Sequence, residues 1–179
     1  MIFHPTRFDG VWLIAPERRV DERGWFARSW CETEFAAHGL NTRWPQGNLT
    51  RTLHRGMVRG LHWQDAVRPE IKLVRCAAGA IQDVVVDVRR ESPTFGQWLS
   101  FPLDPENGHQ VYIGAGFAHG FQCLTDACEV SYLMGETYVA GLARGFRWDD
   151  PDVAIGWLDP ASAQLSERDR NLPLLRDLA

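Results

Sequence analysis

Short strand-like segments, each followed by Gly, Pro or acidic turn residues, recur along the whole 179-residue chain. They span residues 10–14, 25–30, 57–64, 71–76, 80–89, 98–102, 110–113, 121–124 and 129–138. Many short strands at this spacing are typical of an antiparallel sandwich or barrel. No linker, repeat or low-complexity tract divides the chain. We therefore expect one all-β domain over residues 1–179.

The clearest strand is residues 81–89, IQDVVVDVR. Alternation places Val84 and Val86 on one face and Asp83 and Asp87 on the other. Acidic side chains along one face of a barrel strand are unusual. They are either solvated or part of a polar pocket, and the sequence leaves both readings open.

Two segments indicate short helices. Residues 31–38, CETEFAAH, have helical spacing, and Gly39 is a natural stop. Residues 159–170 have helical propensity, and Ser166 lies three positions before Asp169 in a capping-box pattern. We expect one helix near residues 31–38 and one at the C-terminal end.

Composition limits the partners and the compartment. The net charge of −4 gives no indication of nucleic-acid binding, and no apolar run approaches the length of a membrane span. The start, MIFHPTRFDG, has no signal-peptide pattern. The four cysteines form no CxxC pair, which favours reduced thiols and a cytoplasmic location.

Two Gly-bounded segments, GMVRGLHWQ at 56–64 and GAGFAHGFQ at 114–122, have the layout of a cupin jelly roll. A metal cupin needs His-x-His in the first segment, but this chain has His62, Trp63 and Gln64. Only Glu70 and His119 remain as further ligands, so we predict no metal. A metal-dependent dioxygenase or isomerase stays as an alternative.

Longer motifs resemble the dTDP-4-dehydrorhamnose 3,5-epimerase family. They are GLHWQ at 60–64, DVVVDVRRESPTFGQW at 83–98, GFAHGF at 116–121, ARGFRWDDPD at 143–152 and LSERD at 165–169. The resemblance covers about residues 10–173. It implies a jelly-roll homodimer that acts, without metal or redox cofactor, on a nucleoside-diphosphate 4-keto-6-deoxyhexose in deoxysugar synthesis, such as that of L-rhamnose.

The resemblance also implies four catalytic residues. A proton beside a ketone becomes acidic only if the enolate oxygen is stabilised, so the enzyme needs a base, an acid and a cation. His62 matches the base, Asp169 its partner, Tyr132 the acid and Lys72 the enolate stabiliser. Taken singly, they are as well explained by a structural histidine, a helix cap, a core tyrosine and a solvated lysine.

The remaining expected contacts are polar or aromatic side chains around the sugar and the nucleotide. Arginine forks suit a diphosphate, and aromatic rings suit a base or a sugar. The resemblance implies the substrate-binding set: Arg23 and Arg59 for the diphosphate, Asp83 and His119 as a polar pair at the ring, Phe26 and Tyr138 for packing, and Gln46 and Asn48 as polar contacts.

Departures from the family pattern leave the substrate partly open. Arg28 stands where the family usually has Glu, which leaves the base preference undecided. Residues 133–135, LMG, replace a usual polar run after Tyr132, so the chain could invert carbon 3 alone. A non-catalytic sugar-nucleotide-binding cupin is the alternative from another class, although binding alone does not require the four catalytic residues.

Overall fold

The computed structural model describes residues 1–178, which form short strands and two α-helices. The strands are β1 (Ile2–Pro5), β2 (Val11–Ala15), β3 (Arg19–Asp21), β4 (Gly24–Phe26), β5 (Gln46–Thr52), β6 (Val58–Gln64), β7 (Lys72–Ala78), β8 (Ile81–Asp87), β9 (Trp98–Leu103), β10 (Gln110–Ile113), β11 (Phe117–Cys123), β12 (Cys128–Met134) and β13 (Ala143–Gly145). The helices are α1 (Glu32–Ala37) and α2 (Glu167–Arg170), and single 3₁₀ turns lie at Ala140–Leu142, Pro160–Ser162 and Leu175–Asp177.

The strands form two antiparallel sheets and a separate hairpin. The six-stranded sheet has the order β1-β2-β10-β7-β12-β5, and the five-stranded sheet has the order β13-β6-β11-β8-β9. Strands β3 and β4 pair with each other and stand apart from both sheets. The predicted antiparallel jelly-roll barrel is confirmed.

Apolar side chains from the inner faces of both sheets form the core of the barrel. Val74 and Val111 come from the six-stranded sheet, Val85 and Phe121 come from the five-stranded sheet, and all four are almost completely buried. Burial of this apolar surface is the main favourable contribution to folding. It also holds the two sheets at a fixed separation, and side chains between them face one another.

The outer faces of both sheets are covered as well. Val84 and Val86 of β8 pack against Phe146 and Trp157 from the C-terminal part of the chain. Phe35 of α1 packs on the outer face of the six-stranded sheet, in one apolar cluster with Ile14, Leu73 and Tyr112. Because β8 is buried on both faces, its alternation separates two cores rather than a core from solvent.

Several predicted elements need correction. Residues 27–30 lie outside any strand, and the strand predicted at 25–30 is the short β4 (Gly24–Phe26). The strands β1, β3, β5 and β13 were not predicted. The polar sequence of β5, QGNLTRT, shows no clear apolar face, since it is an edge strand with most residues exposed.

The helical predictions are confirmed in part. Helix α1 covers Glu32–Ala37, and Gly39 follows it with a φ of +69°. At the C-terminal end only Glu167–Arg170 is α-helical, and the Ser166 hydroxyl accepts the Asp169 N–H at 3.1 Å, as the capping pattern predicted. Neither of these helices, nor any other in residues 1–178, has the length and apolarity to span a membrane.

Asp87, at the end of β8, organises the turn that follows. Its buried carboxylate accepts hydrogen bonds from the Arg89 guanidinium at 2.7 and 2.9 Å and from the hydroxyls of Ser92 and Thr94, each at 2.6 Å. Burial alone would raise the pKa of Asp87, but the bonds from Arg89, Ser92 and Thr94 outweigh it and hold the pKa at about 2. The ionised carboxylate therefore stabilises the folded state.

We predict that this contribution is lost in acid. It is fully present above the ordinary aspartate pKa of about 4 and disappears as the pH falls through about 2, since the folded state then loses its preference for the ionised form. Asp87→Asn should lower the free energy of unfolding at pH 7 by about 2 kcal/mol, and the deficit should shrink between pH 4 and pH 2.

Urea unfolding at a series of pH values measures this difference. The control is Glu106→Gln, at an exposed position, which should change stability little at every pH. A deficit for Asp87→Asn that stays constant down to pH 2 would contradict the assignment.

Candidate functional site

One cavity of about 620 Å³ opens between the two sheets. It takes side chains from the six-stranded sheet, from the five-stranded sheet and from the segment that contains α2. Eight of the predicted site residues line it, namely Asn48, Arg59, His62, Lys72, His119, Tyr132, Tyr138 and Asp169. The sequence motifs that carry them are far apart in the chain and meet in this cavity.

Two glycines set the relative position of β6 and β11 on one wall. A Cβ atom built on Gly60 would lie 2.5 Å from the Gly120 Cα, and one on Gly120 would lie 2.7 Å from the Arg59 carbonyl oxygen. The strands therefore approach each other more closely than any residue with a side chain allows. In the resulting register His62 lies opposite His119.

His62 is fixed by a carboxylate from the C-terminal segment. Its Nε2 lies 2.7 Å from Asp169 Oδ1, and its side chain is 36% exposed against 7% for Asp169. Burial alone would raise the pKa of Asp169, but hydrogen bonding to His62 and to the Gly60 N–H lowers it. The ionised carboxylate then accepts the proton on Nε2, which leaves the Nδ1 lone pair free to act as a base.

A second histidine–aspartate pair lies deeper in the same wall. His119 Nε2 lies 2.7 Å from Asp83 Oδ2, and both side chains are buried. Asp83 Oδ1 has no hydrogen-bond partner among the described residues. Asp83 thus supports His119 from behind the cavity rather than lining it. The two acidic residues of β8 are therefore both buried, but they have different roles. Asp83 binds His119 at the cavity, and Asp87 binds residues of the turn that follows β8.

Tyr132 faces these histidines from the other sheet. Its ring lies 6.0 Å from the His119 ring, edge to face, with an angle of 76° between the planes. Burial raises the pKa of Tyr132, and a hydrogen bond with Thr50 opposes the rise only in part. The hydroxyl therefore stays protonated at neutral pH and is available as a proton donor.

Lys72 lies beside His62. Its ammonium is 2.7 Å from Glu70 Oε1 and donates to the His62 carbonyl oxygen at 3.2 Å. The Lys72 side chain is 8% exposed and the Glu70 side chain 10%. Among the described residues, the pocket thus contains a buried cation that already has a counter-charge.

Two separate sets of hydrogen bonds hold polar side chains at the mouth of the cavity. Arg59 Nε donates to the Thr52 hydroxyl at 3.0 Å, which leaves the terminal guanidinium nitrogens free for a ligand. Gln46 does not line the cavity. Its amide donates to Asn48 Oδ1 and accepts the Tyr138 N–H, both at 3.0 Å, and so holds two residues that do line it.

Arg23 and Phe26 do not line the cavity of the folded chain. Both lie on the β3–β4 hairpin, where Arg23 is paired with Asp21 at 2.6 Å and Phe26 is 70% exposed. The binding of substrate by these two residues therefore stays a prediction.

Sequence reasoning missed other residues of the cavity wall. Glu70 was considered only as a possible metal ligand, although it also lines the cavity, as do Trp63, Met134, Arg144 and Arg168. Arg168 could have been found, since it precedes Asp169 directly. Arg144 gave no local signal, because the three-residue strand β13 that carries it has no readable alternation.

The position where a metal cupin would have its second histidine has a structural role. Gln64 is buried, donates to the carbonyl oxygens of Arg68 and Thr137, and accepts the Val139 N–H at 2.8 Å. Its amide is thus fully engaged in holding loops. Within residues 1–178, no three His, Cys, Asp or Glu side chains are grouped as metal ligands would be.

Comparisons with known proteins agree on one family. The family model for dTDP-4-dehydrorhamnose 3,5-epimerase matches residues 5–177. The enzyme of that name from Methanothermobacter thermautotrophicus is 42% identical, over 98% of this chain and 95% of that protein. A dTDP-4-dehydrorhamnose 3-epimerase from Streptomyces niveus is 39% identical, over 99% and 85%.

A solved structure agrees in fold as well. The dTDP-6-deoxy-D-glucose-3,5-epimerase of Legionella pneumophila, in complex with dTDP-4-keto-L-rhamnose, superposes with a TM-score of 0.93 at 35% identity. The superposition covers 99% of this chain and 94% of that one. With the match to the family model and the identities above, this shows that the chain belongs to the dTDP-4-dehydrorhamnose 3,5-epimerase family.

Proposed function

We propose that this chain inverts carbons 3 and 5 of a nucleoside-diphosphate 4-keto-6-deoxyhexose. The substrate is dTDP-4-dehydro-6-deoxy-D-glucose and the product dTDP-4-dehydro-L-rhamnose, for L-rhamnose synthesis. One observation carries the proposal: an imidazole held by a carboxylate on one sheet faces a protonated phenol on the other, across a cavity that also contains an ammonium group. Membership of the epimerase family supports the same reaction.

The first step is removal of a proton from a carbon beside the ketone. His62 is the base, and its free Nδ1 takes the proton. Asp169 keeps the imidazole in the tautomer that leaves Nδ1 free and stabilises the imidazolium that forms. The negative charge develops on the ketone oxygen, where the Lys72 ammonium stabilises it.

The second step returns a proton to the opposite face of the same carbon. Tyr132 is the acid. It lies on the six-stranded sheet and His62 on the five-stranded one, so the two groups approach the sugar ring from opposite sides. The carbonyl carbon at position 4 adjoins both carbons 3 and 5, so the same groups serve both inversions. Neither step changes an oxidation state, and the reaction requires no redox cofactor.

The nucleotide diphosphate binds at the basic mouth of the cavity. Arg59 has free guanidinium nitrogens there, and Arg144 and Arg168 line the same cavity. Tyr138, which is 54% exposed, packs against the base or the sugar. His119 contacts the ring with Asp83 behind it, and Asn48 contributes a polar group. Gln46 positions Asn48 and Tyr138.

The protein acts as a homodimer in which the β3–β4 hairpin reaches the partner's cavity. The hairpin joins neither sheet of its own protomer and exposes Val20, Trp25 and Phe26. An exposed apolar hairpin of this kind favours an interface. Arg23 and Phe26 then contribute to the diphosphate and base contacts of the neighbouring site.

A cytoplasmic location is part of the same proposal. Cys31, Cys76, Cys123 and Cys128 are all free, and burial raises the pKa of Cys76 and Cys123 to about 12. Thiols that are protonated and out of contact with solvent fit a reducing compartment.

Inversion of carbon 3 alone is the second candidate function. The relative from Streptomyces niveus is a 3-epimerase at almost the same identity as the 3,5-epimerases. Met134, in the segment that departs from the usual family pattern, lines the cavity two residues after Tyr132. An apolar wall there would alter access to one of the two carbons.

We predict that NMR of the 4-keto-6-deoxyglucose nucleotide in D₂O with the protein will show solvent deuterium entering carbons 3 and 5. Deuterium at carbon 3 alone would identify the second candidate function. Dialysis against EDTA beforehand should leave both exchange rates unchanged, since the proton transfers use side chains only. An activity lost on dialysis and restored by iron would indicate a metal cupin instead.

Substitution of the base and of the acid should give different losses. We expect His62→Ala to lower the rate of exchange by roughly 10²–10⁴-fold, because no other group takes the proton. Tyr132→Phe should reduce net epimerisation more than the loss of the substrate proton, since only reprotonation is impaired.

Matched controls are available outside the cavity. His54→Ala removes an exposed imidazole, and Tyr112→Phe removes a buried hydroxyl that accepts the Asn41 N–H. Both should keep the wild-type rate. Near-normal turnover in His62→Ala would remove His62 from the mechanism.

Complementation tests the dimer. His62→Ala and Arg23→Ala are each expected to be impaired, but a mixture re-equilibrated through dissociation should regain activity. Half of the dimers would then pair one variant with the other, and each of these would contain one intact site. About a quarter of all sites would be restored in a two-fold symmetric dimer. Activity no higher than the average of the two variants would place Arg23 outside the partner's cavity.

A further inference from the structure

Glu70 is a carboxylate in the cavity that the mechanism above does not use. It lies two residues before Lys72, in the loop that leads into β7. Glu70 and Lys72 both line the cavity, and their charged atoms are 2.7 Å apart. With its side chain only 10% exposed, Glu70 is too buried to be an incidental surface charge.

The backbone that carries this pair is held on both sides. Lys72 is paired with Ile113 of β10 and with Met134 of β12, and the Gly135 N–H donates to the Ile71 carbonyl oxygen at 2.7 Å. The position of the Lys72 Cα is thus fixed. The ammonium sits at the end of four flexible methylene groups, so its position depends on what the side chain contacts.

The contacts of Lys72 leave donors for a ligand. An ammonium group has three N–H donors. One donates to the His62 carbonyl oxygen, and Glu70 Oε1 lies 2.7 Å from the same nitrogen as an ion pair. Loss of the Glu70 contact would let the Lys72 side chain move among rotamers.

The ion pair also lowers the free-energy cost of burying the Lys72 ammonium before the substrate binds. A charge taken out of water without a partner is strongly disfavoured, while a hydrogen-bonded counter-charge offsets most of that penalty. The charged ammonium is then already in position where the negative charge on the enolate oxygen develops. Donors fixed in advance stabilise a developing charge without reorganisation at the moment of reaction.

We propose that Glu70 is a positioning residue, which acts through Lys72 by holding its ammonium at the ketone oxygen of the substrate. The role rests on the proposed function of the cavity. Because carbon 4 is shared by both inversions, Glu70 affects exchange at carbons 3 and 5 equally, unlike a group that faces one carbon only.

The test compares Glu70→Ala, Glu70→Gln, Lys72→Met and the double variant Glu70→Ala/Lys72→Met in the D₂O exchange experiment. Glu70→Ala should lower kcat by between about 10- and 100-fold, as expected for a misplaced catalytic group, with KM changed far less. Exchange at the two carbons should fall by the same factor. Glu70→Gln should retain more activity, since its amide oxygen still lies beside the Lys72 ammonium, and it serves as the variant of unchanged shape.

The double variant separates positioning from a general structural effect. If Glu70 acts only through Lys72, the double variant should be no slower than Lys72→Met alone, within about two-fold, because coupled residues are not additive. Glu129→Gln is the matched control. It breaks the surface pair of Glu129 with Arg51, which lies outside the cavity, and should keep the wild-type rate.

Two kinds of result would overturn the role of Glu70 alone. One is an active wild type with additive losses in the double variant, and the other is a loss confined to KM, which would indicate direct contact with the sugar. A wild-type protein that labels neither carbon would overturn the proposed function, and the role of Glu70 with it.

Discussion

Titratable side chains buried inside a β barrel need polar partners, and this constraint shapes the cavity. His62 has Asp169, His119 has Asp83 and Lys72 has Glu70, with each pair of atoms 2.7 Å apart. Two of the pairs join different strands or segments, and the third joins β7 to the loop that precedes it. Because a lone buried charge is costly, the polar groups are held in place by the same contacts that make their burial tolerable.

The two sheets give the cavity its two sides. Packing of the apolar inner faces fixes their separation, and the close approach of Gly60 and Gly120 fixes the register of the wall that carries both histidines. The phenol of Tyr132 belongs to the facing sheet. An arrangement with an imidazole on one side and a phenol on the other thus follows from the packing of the two sheets. It needs no mobile loop to assemble it.

The sequence predicted the barrel and eight residues of the cavity wall because the informative residues lie in long, distinctive segments. The alternation of side chains in β8 was clear. The motifs around His62, His119 and Asp169 carried the family resemblance that identified these residues. Edge strands such as β5 were missed because their exposed faces carry no apolar pattern. Arg23 and Phe26 were named from the resemblance, and both lie on the β3–β4 hairpin, outside the cavity of the folded chain.

The contact between Asp169 and His62 ties the reactivity of the barrel to a segment that is not part of either sheet. Helix α2 has only four residues, and the surrounding chain is held to the outer face of the five-stranded sheet by a separate apolar cluster. Partial detachment of this segment would remove the Asp169 carboxylate from His62. The imidazole would then be free to adopt the other tautomer while the strands stayed paired. Catalytic competence is therefore a more sensitive gauge of local opening at the C-terminal side than any measurement of global unfolding.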